Sequence, residues 1–285
     1  MEKKKIEIVE NSIDNIQDDE VLIKVISCGI CSTERAVYEG TTIGVEGVSF
    51  HYKEYPADLG HEAVGEVIET GKKIHHLKKG DIVSGMTYQS SCFSEFICEK
   101  EIDLIKLPEK LQINPKYMVL EPVVGTVNIL HQLNIRIGDD VCVIGDGFMS
   151  LVLIECLSKY PLNSITVVGH HDYRLELAKN RGATKIINSK NEENLKSILF
   201  NETKNKGFDI VVEYAGSTNA MALAASVTKP KCRSQLVLAS AYSNDTPFII
   251  SNYLQNRAPI IVPAYPHQSK NKILDLERSI WTIQN

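Results

Sequence analysis

Gly60-His61-Glu62, taken with Cys31 thirty residues earlier, offers an imidazole nitrogen, a carboxylate oxygen and a sulfur. These are ligand types that Zn²⁺ accepts. His61 and Glu62 stand where a loop meets the alternating stretch Ala63, Gly65, Val67, so the start of a strand would hold them. Cys31 closes a Cys28-Gly29-Ile30-Cys31 spacing that has three readings. A paired zinc knuckle needs a second Cys-x-x-Cys, and Cys92 with Cys98 is too widely spaced to supply it. A thioredoxin-like redox motif opens a helix after a single buried strand, whereas antiparallel strands precede this one. In the third reading only one of the two cysteines is a ligand, and His61 is its partner.

A second stretch suits a different chemistry. Val141-Cys142-Val143-Ile144 runs into Gly145-Asp146-Gly147-Phe148-Met149-Ser150, the order of strand, glycine turn and helix start that a dinucleotide fold needs. Gly145 allows the tight turn, Gly147 lets the backbone approach a pyrophosphate, and Ser150 stands where a third glycine is usual. The helix N-terminus then supplies amide donors and partial positive charge for the phosphates. Cofactor choice is read at the end of the second strand, Ile165-Thr166-Val167-Val168, where an acidic residue would bind ribose hydroxyls. That position is Gly169, followed by His170, His171 and Arg174. With no carboxylate there to repel a 2′-phosphate and three groups to contact it, NADP(H) is favoured over NAD(H). Asp172, close by in sequence, keeps NAD(H) as the alternative.

The elements that must carry these residues fall into two halves. Short candidate strands at Lys5–Val9, Val21–Ile26, Ile82–Gly85, Phe93–Ile97 and Leu104–Leu107, separated by Gly and Asp turns, predict a small barrel-like β domain. Residues 39–59 read as a long binding loop. Near residue 113 the character changes to a helical stretch. Strands are then expected at 141–145, 165–169, 185–187, 209–213, 235–239 and 259–263, with apolar helical stretches between several of them. Such alternation predicts a parallel sheet covered on both faces.

At 285 residues, 43% hydrophobic and 24% charged, the chain has the composition of a two-domain globular protein. A net charge of −5 provides no basic face for nucleic acid. No apolar run approaches the roughly 20 residues that span a bilayer, and no signal-peptide core follows Met1; a soluble, cytoplasmic protein is expected. Seven scattered cysteines argue against a disulfide framework, and Cys142 and Cys156 read as buried small hydrophobes.

In their order and spacing, Gly29-Ile30-Cys31-Ser32-Thr33-Glu34, Gly60-His61-Glu62, Gly80-Asp81, Leu120-Glu121-Pro122 and Gly145-Asp146-Gly147 resemble the zinc-dependent medium-chain alcohol dehydrogenase family, in its polyol and threonine dehydrogenase-like branch. The resemblance covers essentially the whole chain. It implies an α/β protein with a GroES-like β-barrel catalytic domain over residues 1–136, to which 264–285 return, and a doubly wound Rossmann sheet over 137–263. It also implies metal ligands at Cys31, His61, Glu62 and Glu121, a proton-passing hydroxyl at Thr33, and a carboxylate at Glu34 that orients His61 without touching the metal. Glu62 is left with three roles: a ligand, an exchange partner for metal-bound water, or a nearby charge.

The function implied is a zinc-dependent oxidoreductase that moves hydride between NAD(P) and a secondary alcohol, polyol or sugar, in a homo-oligomer (dimer or tetramer) paired through the Rossmann sheet near 259–263. Three departures from the family pattern qualify this. Between Gly80-Asp81 and Phe96 only Cys92 is found, so one catalytic zinc and no structural zinc are expected. Ala36 stands where the proton relay often continues to a histidine, leaving His51 or water to substitute. Relatives continue beyond a stretch like 280–285 with elements that complete the catalytic domain, so an early end with exposed sheet edges is expected. Two other readings compete: a catalytically silent nucleotide-binding relative, and a zinc-free quinone or enone reductase.

Overall fold

A computed structural model describes residues 3–13, 15–41, 54–89, 91–231, 233–240, 242, 252–264 and 271–284, with only the backbone of 252–254. The chain divides into two compact units, Met1–Val124 with Ser269–Asn285, and Gly125–Gln268. The division falls inside helix α2, Glu121–Gln132.

The first unit is built on an antiparallel sheet of β1 (Glu20–Cys28), β2 (Ala63–Thr70), β3 (Ile82–Gly85), β4 (Phe96–Lys100) and β5 (Leu104–Lys106), in the order β4-β1-β2-β3-β5. Alternation along the strands sends Val21, Ile23, Val67, Val83 and Ile97 into one core cluster. Val64 joins Met86, Leu107, Leu120 and Val124 in another, which Leu276 and Ile280 of α8 (Lys272–Gln284) complete. Lys272 Nζ anchors α8 at 2.5 Å from Asp103 Oδ1.

The register of β1 on β2 has a functional consequence. Cys28 pairs with Ala63 and Val21 with Thr70, so the chain leaving β1 and the chain entering β2 meet at the same end of the sheet. Cys31 lies just past one and His61 just before the other. The expected strand over Lys5–Val9 does not form. Ile6 and Ile8 are exposed, and no strand among the described residues flanks them to complete a ladder.

The second unit contains a six-stranded parallel sheet of β6 (Asp140–Ile144), β7 (Ser164–Gly169), β8 (Lys185–Asn188), β9 (Ile210–Glu213), β10 (Gln235–Leu238) and β11 (Ile260–Pro263), in the order β11-β10-β9-β6-β7-β8. This is the doubly wound arrangement, with its reversal between β6 and β9. Alternate residues of β6 go to opposite faces. Val141 and Val143 pack with Leu153, Ile154 and Leu157 of α3 (Phe148–Leu157). Cys142 and Ile144 pack with Leu199 of α5 (Leu195–Glu202) and Ala224 of α6 (Thr218–Val227). Nearly unbroken apolar strands are what two covered faces demand. No helix among the described residues is long and apolar enough to cross a membrane.

Candidate active site

Helix α1 (Ser32–Glu39) begins directly after Cys31, and Glu34 in its first turn organises the site. Glu34 Oε2 accepts the Cys31 backbone N–H at 2.9 Å, the reciprocal bond of a helix-capping box. Its other oxygen accepts the Gly60 N–H at 3.3 Å and lies 2.6 Å from His61 Nδ1. One carboxylate, 3% exposed, therefore ties together the two chain segments that the register brings to one end of the sheet. With Nδ1 engaged, Nε2 is left as the ligand atom of His61, the arrangement that metal-binding histidines favour.

Thr87 fixes the backbone on the other side, donating to the His61 carbonyl at 2.8 Å and accepting from the Ala63 N–H at 3.0 Å. The Tyr88 ring stacks on His61 with centroids 5.6 Å apart, and its hydroxyl donates to Glu121 Oε1 at the start of α2. Gly29 leaves room for the Glu62 carboxylate where it lies, since a Cβ there would stand 2.0 Å from Glu62 Oε2.

The result is a group of ligand atoms from Cys31, His61 and Glu62 that all lie within 4.8 Å of one another. The Thr33 hydroxyl lies 3.6 Å from Cys31 Sγ. Glu121 is buried nearby, within electrostatic range of His61 and Glu62, but lies outside that 4.8 Å group. Cys28 instead packs with Cys92 and shares a hydrogen bond with it. His51 falls outside the described residues, as does Cys232.

The electrostatics of the group show what it would suit. Burial opposes protonation of His61, but the bonds to Cys31 and Glu34 and the charges of Glu121 and Glu34 outweigh it and push the imidazole up to about 11. Burial and the neighbouring charge of Glu121, against the pull of His61, bring Glu62 up to about 7. Burial likewise raises Glu121, against the favourable His61 and Tyr88 contacts. Three buried carboxyl groups thus crowd one imidazole beside a sulfur. A divalent cation would balance that excess of acceptors, so the donor set fits zinc. Exchanging Glu34 for glutamine leaves at most one of its oxygens to serve three donors. Zinc affinity is expected to fall by about 10- to 100-fold, measurable by competition with a chromogenic chelator; unchanged affinity would remove Glu34 from this role.

In the second unit, Gly145 ends β6 with φ +122°, a conformation open chiefly to glycine. No side chain caps α3 at Gly147, and a Cβ there would meet nothing within 4 Å. An uncapped N-terminus above open space fits a pyrophosphate. Ser150 is buried and its hydroxyl has no hydrogen-bond partner among the described residues. Ser150→Ala should therefore stabilise the fold by about 1 kcal/mol, read as a higher urea midpoint with unchanged slope. A lower midpoint would mean that the hydroxyl has work to do there.

The end of β7 corrects one expectation. Gly169 carries no carboxylate, yet one is present, because the Asp146 side chain fills that place. A Cβ on Gly169 would lie 2.6 Å from Asp146 Cβ and 2.8 Å from its Oδ2. Asp146 Oδ2 accepts the backbone N–H of His170 at 2.9 Å and of His171 at 2.8 Å, and lies 3.0 Å from His171 Nδ1. Burial would raise the Asp146 carboxyl, but these bonds outweigh it and hold it below the usual carboxylate range. His170 Nδ1 lies 2.6 Å from Ser189 Oγ. Arg174 Nε donates to the Tyr173 hydroxyl at 2.9 Å. Sequence reasoning missed Asp146 because it was read only as the variable residue of a glycine turn. It also missed Tyr88, which no motif marks.

Comparison with known proteins identifies both halves of the chain. Residues 17–103 match the model of the alcohol dehydrogenase GroES-like domain, and 151–275 that of the zinc-binding dehydrogenase. The chain is 32% identical over 240 residues to the L-threonine 3-dehydrogenase of Caldanaerobacter subterraneus, covering 75% of this chain and 67% of that one. It is 26% identical over 287 residues to the sorbitol dehydrogenase of Bacillus subtilis, covering 91% and 76%. Among solved structures, the galactitol-1-phosphate dehydrogenase of Escherichia coli superposes with a TM-score of 0.83 at 20% identity, covering 99% of this chain and 86% of that one.

Proposed function

The chain belongs to the zinc-dependent medium-chain alcohol dehydrogenase family, and from that premise we propose that it oxidises a secondary alcohol or polyol to the ketone, reversibly, with one zinc per chain and NADP(H) in preference to NAD(H). The observation that carries this reading is the convergence of Cys31, His61 and Glu62 within 4.8 Å, with His61 already held by Glu34. A zinc-free reductase on the same scaffold would have no use for that group.

When bound, zinc supplies a Lewis acid toward the substrate oxygen and the nicotinamide supplies a hydride acceptor. The chain's own residues do the rest. Cys31, His61 and Glu62 hold the metal. Glu121 stands by as a further carboxylate, kept in place by Tyr88. Thr33, at 3.6 Å from Cys31 Sγ, takes the proton of the substrate hydroxyl and passes it to water, since Ala36 offers no next acceptor. Gly145, Gly147 and the start of α3 hold the pyrophosphate, with Ser150 as the small residue where helix meets strand. His170, His171 and Arg174 receive the 2′-phosphate. Edge strand β11 leaves Ile260 and Ile261 exposed, which supports pairing of two copies through this sheet.

The test combines metal analysis of the purified protein with a panel of polyols, amino alcohols and ketones, scored by nicotinamide absorbance with both cofactors. Zinc near one per chain and turnover with a secondary alcohol is the expected result. Protein that turns over without zinc is the enone-type reductase instead, and zinc-loaded protein that turns over nothing is the catalytically silent relative.

A further inference from the structure

We infer that Asp146, from within the glycine turn, builds the 2′-phosphate corner of the nucleotide site by holding the turn of His170 and His171, and so sets the preference for NADP(H). This rests on the NADP(H) reading above and adds the residue that determines it.

The fold ordinarily brings its ribose-binding carboxylate from the end of the second strand. Here that is sterically excluded, since any side chain on Gly169 would collide with Asp146 at 2.6–2.8 Å. Asp146 does not take over the displaced acid's task. It is 6% exposed, and its Oδ2 is already engaged by two backbone N–H groups and the His171 ring. Hydroxyls of a ribose meeting that oxygen would have to displace those donors.

What Asp146 does is fix the turn that leads into the next helix. Helix α4 (Asp172–Asn180) has His171 as its N-cap residue, and that side chain makes no capping bond. The Asp146 carboxylate instead accepts the backbone N–H groups of His170 and His171 just ahead of the first turn, a negative charge near the positive end of the helix. The same bonds fix the two histidines. His171 is held through Nδ1 by Asp146 and His170 through Nδ1 beside Ser189, so the Nε2 edges of both rings are left to meet a ligand. Both residues are exposed. Arg174 lies one turn on in α4. Three nitrogen-bearing side chains at one helix start, with the nearby carboxylate buried and one of its oxygens already engaged, suit a phosphate dianion better than a pair of hydroxyls.

The test measures dissociation constants for NADPH and NADH by nucleotide fluorescence, and for 2′,5′-ADP by calorimetry, none of which needs turnover. The wild type should prefer NADPH by tenfold or more. Asp146→Asn keeps the shape and removes the charge; the NADPH-to-NADH preference should narrow by about tenfold, or about 1.4 kcal/mol, with 2′,5′-ADP weakened in parallel, NADH affinity nearly unchanged and the melting temperature retained. Asp146→Ala combined with Gly169→Asp restores the usual arrangement and should reverse the preference toward NADH, even if the single variant folds poorly. A wild type that prefers NADH overturns the NADP(H) reading and this inference with it. A wild type that prefers NADPH while Asp146→Asn keeps the full preference overturns only the role of Asp146. Loss of NADH affinity in Asp146→Asn also overturns it, because Asp146 would then be binding the ribose itself.

Discussion

Cys31→Ser leaves a folded chain that no longer retains zinc and whose kcat/KM falls by at least about a hundredfold. The serine hydroxyl is a poor substitute for the soft ligand in a set that otherwise offers one imidazole and carboxylates. The fold should survive for a reason local to α1. Residue 31 is the N-cap position of that helix and its backbone N–H is held by Glu34; serine is among the preferred N-cap residues. Cys31 is also only partly buried, so little core packing is lost. Metal content by plasma mass spectrometry, nicotinamide reduction and circular dichroism of the same preparation check the three parts. Full zinc occupancy with full turnover would remove Cys31 from the site.

The second large effect is on stability against pH. In chelated protein the melting temperature should fall as pH rises from about 5 toward 11, and saturating zinc should reverse the trend. His61 has its folded value raised from 6.5 to about 11. Its protonation therefore stabilises the fold fully below about pH 6.5, and that contribution is lost as pH climbs through 11. Glu62, raised from 4.5 to about 7, acts in the same direction at lower pH: the folded chain holds its proton longer than the unfolded chain, so stability declines between 4.5 and 7. Zinc takes the place of these protons, and its binding releases them. The stabilisation by zinc should thus grow with pH. A chelated protein whose stability rises across this range would show that the site is not an uncompensated cluster of acids.

The parallel half was legible almost strand by strand. Apolar runs such as Val141–Ile144 and Ile210–Val212, set between glycine turns and helical stretches, have few alternatives once two faces must be covered, and the observed β6 to β11 fall within about one residue of expectation. Less was legible where a signal needs a partner. Lys5–Val9 has the alternation of a strand, but no strand among the described residues pairs with it. Helix α1 was hidden behind the Cys-x-x-Cys spacing, although Glu34 three residues after Cys31 carries the capping signal. Helix α8 places Leu276, Ile280 and Ile283 on the face that packs in the first unit, a period-3.6 pattern in a segment expected to return to the first domain but assigned no element.

By itself the sequence determined the types of atom available for chemistry and the elements that carry them: a sulfur, an imidazole and carboxylates beside an antiparallel sheet, and a glycine turn at the head of a parallel one. Motif order carried the resemblance, because ligand identity and turn chemistry are local. Only the tertiary structure decided which of these atoms meet. The Cys28–Ala63 register places Cys31 beside His61 and Glu62 while Cys28 turns to Cys92. Tyr88 is aimed at Glu121 across 33 residues of chain, and Asp146 stands in the space left by Gly169. Those decisions depend on strand pairing and on the volume of a single Cβ, quantities set by distant segments and invisible in any one of them.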